Sequence, residues 1–318
     1  EITTRLVGSE MCIRDSEKHL LPRILSTDTE YARINLNFKR RQGVEKKMSK
    51  NIPFVPAEAL SKLWRAIIEF DMLSAGDRIL IGLSGGKDSM LLTAMLAEIK
   101  KFSPIPFDLA CYTVNPMFAD NFPKKELTGF CARYGLEHYS DDIDVMAAFA
   151  QKGGSPCFTC AYFRRAATNR KAKELGFNKV ALAHHNDDAV ETFFMNLMTS
   201  GQLRTFLPVT PLSRSGITVL RPLLYYREQE IKELVDKLQL SPLKNPCPYD
   251  GHTMRQEIKE HICKLDQRYP EAYEHLAAAM RCSDKQELWP AKPADKEMVA
   301  KFRSFWQRTT KNTSEIKK

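Results

Sequence analysis

The sequence has no run of apolar residues long enough to cross a lipid bilayer, which takes about 20 consecutive residues in a helix. We therefore exclude an integral membrane protein. No internal repeat is visible. Acidic residues are in deficit, since 39 Asp and Glu stand against 48 Lys and Arg and the formal net charge is +9. That balance is typical of a protein with a polyanionic partner, above all nucleic acid, and equally of an ordinary soluble basic protein.

Cysteine is present, but its usage does not indicate a disulfide scaffold. Eight cysteines are spread along 318 residues, which suits a reducing compartment, and we expect a cytoplasmic protein. With 43% hydrophobic residues, the chain is long enough to bury one large α/β core with a small appendage.

The Walker P-loop is also absent, yet a different glycine turn stands between a strand pattern, Arg78–Leu83, and a helix pattern, Ser89–Phe102. Adjacent glycines allow a tight turn whose N–H groups converge on one point, and the helix N-terminus adds positive charge. A carboxylate at Asp88 makes sense beside phosphates if a cation such as Mg²⁺ lies between them. The turn predicts a nucleotide site made of Ser84, Gly85, Gly86, Lys87, Asp88 and Ser89. The pattern Ser-Gly-Gly-x-Asp-Ser resembles the PP-loop of ATP pyrophosphatases.

Strand and helix patterns alternate after this turn, which predicts an α/β fold with a doubly wound, mostly parallel sheet. Predicted strands are Arg78–Leu83, Phe107–Val114, Leu136–Tyr139, Asn178–Ala183 and Ile217–Leu220. Predicted helices are Ser89–Phe102, Pro123–Tyr134, Ala161–Leu175 and Asp187–Thr199, followed by a helical part from Glu228 to about Met280. We divide the chain into a leader (1–47), an N-terminal helix (48–76), an ATP-binding domain (77–225), a helical part carrying Cys247 (226–288) and a basic tail (289–318).

The leader looks foreign to the fold. Met11-Cys-Ile-Arg-Asp-Ser16 resembles the translation of a sequencing adaptor, and residues 17–47 show little periodicity. We expect residues 1–47 to be dispensable, with Met48 as the true start.

Three cysteines form a second candidate site. Cys157 and Cys160 make a Cys-x-x-Cys pair that follows Pro156, and Cys247 lies far downstream between two prolines; we expect both places in loops. From the residues alone, four interpretations stay open: a zinc site completed by His252, a dithiol redox pair, an iron–sulfur cluster with one open iron, or three unrelated thiols. The cysteines at 111, 131, 263 and 282 fall in strand or helix patterns, where we expect small core residues.

Two further groups of charged residues are candidates. Asp187 and Asp188 follow a predicted strand, so they could ligate Mg²⁺ or orient a nucleophile, although acidic residues also suit a first helical turn. A basic face on the helix after the Cys pair is either solvated or contacts a phosphate backbone. Its members are Arg164, Arg165, Arg170, Lys171 and Lys173.

In combination these motifs resemble the tRNA 2-thiocytidine synthetases, the TtcA family, over about Asp77 to Met280. The resembling segments are Ser84–Ser89, Cys157-x-x-Cys160 with Arg164-Arg165, Ala183–Asp188, Arg221–Leu223, Pro246-Cys247 and Lys264–Pro270. One departure is Pro-Tyr-Asp after Cys247, where the family often has a second cysteine.

The resemblance implies a PP-loop fold and ATP-dependent thiolation of cytidine 32 in tRNA. It implies a [4Fe-4S] cluster on Cys157, Cys160 and Cys247, catalytic roles for Lys87, Asp187 and Asp188, Mg²⁺ on Asp88, and tRNA contacts at Arg164 and Arg165. A cysteine desulfurase is the expected sulfur donor, and a homodimer is an open alternative for the oligomeric state. Rival functions are lysidine or 2-thiouridine formation and a non-catalytic iron–sulfur sensor.

Overall fold

The computed structural model describes residues 55–118, 121–145, 147, 156–243, 247, 254–281, 294, 296–297 and 299–300. The strands are β1 (Asp77–Gly82), β2 (Phe107–Asn115), β3 (Glu137–Asp142), β4 (Lys179–Ala181), β5 (Val209–Leu212) and β6 (Ile217–Leu220). The helices are α1 (Ala57–Glu69), α2 (Lys87–Phe102), α3 (Lys124–Arg133), α4 (Pro156–Glu174), α5 (Asn186–Ser200), α6 (Glu228–Lys237), α7 (Met254–Arg268) and α8 (Ala272–Ala279). A boundary between two compact units follows Met280. The expectations for residues 1–47, His252, Cys282 and most of the tail lie outside the described residues.

The six strands form one sheet in the order β3-β2-β1-β4-β6-β5. All neighbouring strands are parallel except β5 and β6, which pair antiparallel. The chain runs outward from β1 to β2 and β3, and then returns to β4 on the other side of β1. This confirms the doubly wound, mostly parallel sheet and places its switch point between β1 and β4, where such sheets bind ligands.

Helices cover both faces of the sheet, because alternate residues of each buried strand point to opposite sides. Ile79 and Ile81 of β1 pack in the larger core, which includes residues from α1, α2, α3 and α6. Leu80, between them, packs in a second core with Ala167 and Ala172 of α4. A third, smaller cluster joins α5, α7 and α8. Within the described residues, no helix has both the length and the apolar character needed to cross a membrane.

The structure corrects three expectations. The sequence patterns did not indicate β5, a four-residue edge strand containing Pro211. Proline lacks an N–H and is tolerated at a sheet edge, so its presence argued against a strand when the sequence was read alone. Helix α4 begins at Pro156 rather than Ala161, so Cys157 and Cys160 lie in its first turn and not in a loop. Proline suits the first helical position, where its missing N–H would be unpaired anyway.

The third correction concerns Cys263, which was expected in the core. It is exposed on α7, whereas Cys111 and Cys131 are buried as predicted. Helix α7 buries Ile258 and Ile262 on one stripe, and Cys263, one residue further on, turns away from that stripe. Among the described residues from Glu228 to Met280, the predicted helical part consists of the helices α6, α7 and α8.

A buried ion pair fixes the start of β1 against the start of β4. The Asp77 carboxylate, 5% exposed, lies 2.6 Å from Lys179 Nζ and also accepts hydrogen bonds from the Ser74 N–H and Asn178 Nδ2. Lys179 Nζ additionally donates to the Met72 carbonyl at 2.9 Å. Although burial favours the neutral acid, Lys179 and Asn178 lower the pKa of Asp77. The ionised form of the Asp77 carboxylate therefore depends on the charge of Lys179.

We predict that Lys179→Met lowers the free energy of unfolding by about 3–5 kcal/mol, because it leaves a buried carboxylate without its counter-charge. Urea denaturation followed by circular dichroism measures this. Lys100→Met is the matched control, since Lys100 pairs at 3.3 Å with Asp108 on the surface, and such pairs contribute about 0–1 kcal/mol. Equal losses in the two variants would contradict this account of the pair.

Candidate active site at the β1/β4 switch point

The predicted PP-loop turns from β1 into α2. Gly85 has a φ of +84°, and a Cβ there would lie 3.1 Å from Leu243 Cδ1, so the position requires glycine. Gly86 is the N-cap of α2 and brings no side chain to its first-turn N–H groups. The hydroxyls of Ser84 and Ser89 lie 3.1 Å apart, and Ser89 Oγ also donates to the Gly86 carbonyl. The loop thus presents backbone N–H groups and two hydroxyls at a helix N-terminus, which is an anion site.

Lys87 stands between two carboxylates at this loop. Its Nζ lies 3.1 Å from Asp88 Oδ2 and 3.2 Å from Glu228 Oε1 on α6. Burial opposes the charged form, but Asp88 and Glu228 outweigh it and raise the pKa of Lys87. Glu228 also pairs with Lys259 of α7, and these lysines hold the pKa of Glu228 at about 2 against the effect of burial. Two helices distant in sequence are therefore connected to the PP-loop: α6 through Glu228, and α7 through the pair of Lys259 with Glu228.

The second carboxylate oxygen of Asp88 is suited to a cation. Asp88 Oδ1 is buried and has no hydrogen-bond partner among the residues that the structure describes. His185 Nε2 lies 3.9 Å away from it. An unpaired buried carboxylate oxygen beside a phosphate site fits Mg²⁺, which takes oxygen ligands from one or two carboxylates and the phosphates themselves. The fit supports the sequence assignment of Asp88 to Mg²⁺.

Asp187 connects the first turn of α5 to the start of α6. Its Oδ2 accepts the Glu228 N–H at 2.7 Å, and its Oδ1 lies 3.3 Å from Arg227 Nε. Burial would raise the pKa of Asp187, but the His185 ring, the Glu228 N–H and Arg227 hold it at about 2. The predicted carboxylate is thus in the site and ionised, and both of its oxygens hold α6 in place.

Asp188, one residue later, faces α7 instead. Its Oδ2 accepts the His185 N–H at 3.0 Å, and its Oδ1 lies 2.9 Å from Arg255 Nη1. Arg255 lies 3.7 Å from Glu191 as well, one turn further along α5. Glu191 is buried, and burial together with Asp188 raises its pKa to about 7. Asp188 and Glu191 therefore share one arginine.

Sequence reasoning missed four charged residues of this network. All four come from the helical C-terminal part: Arg227, Glu228 and Arg255 contact residues at least 40 positions earlier in the chain, and Lys259 joins the network through Glu228, 31 positions away. Each is an ordinary charged residue in a polar helix, so no local signal distinguishes it. Their role follows from α6 and α7 packing at the carboxyl edge of the sheet.

The three predicted cluster cysteines lie in one region. Cys157 is exposed, Cys160 is buried and Cys247 is partly buried. Burial raises the pKa of Cys160, and the thiols of Cys247 and Cys157 contribute in the same direction, whereas a hydrogen bond with Arg164 opposes them. No disulfide joins the described cysteines, and no three described His, Cys, Asp or Glu residues stand close enough to hold a single metal ion. Three thiolates are the ligand number that a [4Fe-4S] cluster with one open iron requires.

The predicted tRNA-contacting arginines lie on the surface of α4 next to these cysteines. Arg164 and Arg165 are both exposed. Lys171, assigned to the same basic face, is paired with Asp141 and Glu174 at 3.3 Å and is less available to phosphate. The exposed members of the basic face are therefore Arg164 and Arg165 near the Cys pair and Arg170 and Lys173 further along α4.

We predict that Glu191→Gln raises the melting temperature at pH 8 and leaves it nearly unchanged at pH 4.5. The pKa of Glu191 in the folded state, about 7, lies above its ordinary value of 4.5, so the folded state binds an extra proton between these two pH values. Ionisation of Glu191 therefore lowers the free energy of unfolding progressively as the pH rises from 4.5 through 7. Melting curves of both proteins across pH 4.5–8 test this, with the exposed Glu260→Gln of α7 as the control. A constant difference at every pH would contradict the raised pKa.

Comparisons with known proteins agree with this geometry. The PP-loop domain family matches residues 59–265. A tRNA-cytidine(32) 2-sulfurtransferase of Dichelobacter nodosus is 35% identical over 222 residues, covering 68% of this chain and 82% of the relative. Another, from Dechloromonas aromatica, is 33% identical over 238 residues and covers 74% and 81%.

A solved structure shares the fold. The U34-tRNA thiolase NcsA of Methanococcus maripaludis, determined with its [4Fe-4S] cluster, superposes with a TM-score of 0.57 at 24% identity, covering 70% of this chain and 77% of that one. The fold, the PP-loop at the switch point and the extent of these matches lead to one assignment: the chain belongs to the PP-loop family and, within it, to the tRNA-cytidine(32) 2-sulfurtransferases.

Proposed function

We propose that this protein thiolates a cytidine of tRNA, at position 32, in an ATP-dependent reaction that releases AMP and pyrophosphate. The observation that carries the proposal is the PP-loop at the β1/β4 switch point, with an unpaired Asp88 oxygen beside it. The curated relatives support the choice of cytidine 32, because their printed names specify it.

The first step is adenylation of the base. The C2 oxygen of cytosine is a poor leaving group, so it attacks the α-phosphorus of ATP and expels pyrophosphate. The PP-loop N–H groups, Lys87 and Mg²⁺ on Asp88 would offset the charge that develops on the phosphates. Before ATP binds, the carboxylate of Glu228 offsets the positive charge of Lys87. When Lys87 turns to a phosphate, Glu228 would keep Lys259 and Lys232 as its partners.

The second step replaces oxygen by sulfur. Sulfur at the oxidation level of sulfide attacks C2, the C2–O bond breaks, and AMP departs with the original C2 oxygen. A [4Fe-4S] cluster on Cys157, Cys160 and Cys247 would supply an open iron to carry that sulfur. The buried Cys160 resists ionisation on its own, so binding to iron would have to displace its proton.

The two aspartates of α5 have different roles in this proposal. Asp188 holds Arg255 and the backbone N–H of His185, whose ring lies 3.9 Å from Asp88, so it positions His185 beside the Mg²⁺ carboxylate. Asp187 positions α6, and thereby Glu228 and Lys87. tRNA would bind across α4 at Arg164 and Arg165, and a cysteine desulfurase would deliver the sulfur.

We predict that Lys87→Met lowers tRNA-dependent AMP release by about 10²–10⁴-fold, the scale for removing a charge-stabilising group. Lys232→Met is the matched control, because Lys232 pairs with the same Glu228 from 3.5 Å but is half exposed. It should retain near wild-type turnover. Chromatographic assay of AMP measures both, and normal AMP release by Lys87→Met would contradict the site assignment.

We predict that Cys157→Ala, Cys160→Ala and Cys247→Ala each abolish iron binding and thionucleoside formation in anaerobically purified protein. Wild type should contain roughly four irons per chain, as the cluster type requires. Cys263→Ala, an exposed thiol on α7, is the control and should keep both. Iron analysis and mass spectrometry of tRNA nucleosides give the result. Stoichiometric zinc in place of iron would falsify the cluster.

A further inference from the structure

Helix α4 carries two exposed aromatic side chains in its first two turns. Phe158 is 64% exposed and Tyr162 is 45% exposed. They are four residues apart, and Arg165 follows three residues after Tyr162, so all three lie on one face of the helix. We call Phe158, Tyr162 and Arg165 the aromatic stripe. The opposite face of α4 is packed, because Cys160 and Ala167 are buried.

The position of the stripe distinguishes it from ordinary apolar exposure. Single exposed apolar residues are normal on a protein surface. Here Phe158 lies between Cys157 and Cys160, and the exposed Arg164 and Arg165 follow within two turns. Exposed aromatic rings within a positively charged surface are the combination that binds single-stranded nucleic acid, since rings stack on bases and cations contact the backbone.

We propose that the aromatic stripe is the surface on which unpaired bases of the tRNA loop stack, next to the nucleotide that reacts. The inference rests on the proposed function and names residues that recognise its substrate. RNA is the occupant that charge complementarity favours. The net charge of the chain is +9, and the exposed residues of α4 include Arg164, Arg165, Arg170 and Lys173.

A further cation lies at the end of β6. Arg221 follows β6, and its Nη1 donates to the Leu207 carbonyl at 2.6 Å and to Thr210 Oγ1 at 3.0 Å, which fixes the guanidinium. Burial lowers the pKa of Arg221 to about 10, and the charge of Arg165 contributes to the decrease. A cation fixed in this way adds to the positive charge that a tRNA backbone would meet at the end of β6.

The test compares two RNA probes: a tRNA transcript with cytidine at position 32 and a fully paired RNA duplex of equal length. Duplex RNA offers phosphates but no unpaired base. We expect Phe158→Ala to raise the Kd for the tRNA by about 5- to 100-fold, the range for losing one base–aromatic stack. The Kd for the duplex should stay unchanged, and Phe158→Tyr should restore tRNA binding.

Met198→Ala is the matched control, because Met198 on α5 is 66% exposed and lies outside the stripe. It should not change either Kd. Arg165→Gln should weaken both probes and reduce the slope of log Kd against log salt by about one, as loss of one phosphate contact does. Iron content is measured in every variant. If Phe158→Ala loses iron, Tyr162→Ala, one turn further from the cysteines, decides the question by the same criterion.

Wild-type tRNA affinity in both Phe158→Ala and Tyr162→Ala would overturn the inference. Equal weakening of tRNA and duplex would also overturn it, because the loss would then not concern unpaired bases. Unchanged tRNA affinity with weakened binding of a cysteine desulfurase would assign the stripe to a protein partner instead. The proposed function is tested separately by thionucleoside formation in the wild type, which can succeed whichever result the stripe gives.

Discussion

The parallel pairing of β1 with β4 is the constraint on which the site depends. Ile79, Leu80 and Ile81 pair with Lys179, Val180 and Ala181, although about 100 residues separate the two strands in the chain. Because the strands are parallel and adjacent, the segments after them emerge at the same edge of the sheet. The PP-loop after β1 and the segment His184–Asp188 after β4 therefore meet, and the Asp77–Lys179 pair fixes the opposite ends of the strands.

Opposite charges dominate the carboxyl edge of the sheet. Lys87, Arg227, Arg255 and Lys259 each contact one or more of the carboxylates Asp88, Asp187, Asp188, Glu191 and Glu228. A site that must receive a highly charged nucleotide needs cations, but unpaired buried cations are costly. In the proposed reaction, the carboxylate of Glu228 offsets the charge of Lys87 until a phosphate of ATP takes its place. The backbone contributes to the same connection, since the Leu243 N–H donates to the Gly85 carbonyl four residues before Cys247. The PP-loop is thereby tied to the segment that leads to the third cysteine.

Features with a local cause could be predicted from the sequence. The alternation of strands and helices, the glycine turn at Gly85 and the carboxylates in the first turn of α5 each follow from residue type and spacing, and the structure confirms them. Gly135 and Gly176, two positions past the ends of α3 and α4, have φ of +66° and +72°, the left-handed conformation that glycine commonly adopts after a helix. Features with a distant cause could not be predicted. The contact of Glu228 with Lys87 depends on how α6 packs, β5 depends on a neighbouring strand, and the exposure of Cys263 depends on which stripe of α7 meets α5.

The most direct test of the account is the fate of the C2 oxygen. A tRNA carrying ¹⁸O at C2 of cytidine 32 would be incubated anaerobically with the protein, ATP, Mg²⁺ and sulfide, and the AMP analysed by mass spectrometry. If the base oxygen attacks the α-phosphorus, each AMP formed with a 2-thiocytidine carries one ¹⁸O atom and is two mass units heavier. Unlabelled AMP, with thiocytidine formed nonetheless, would contradict adenylation of the base as the step for which this site is built.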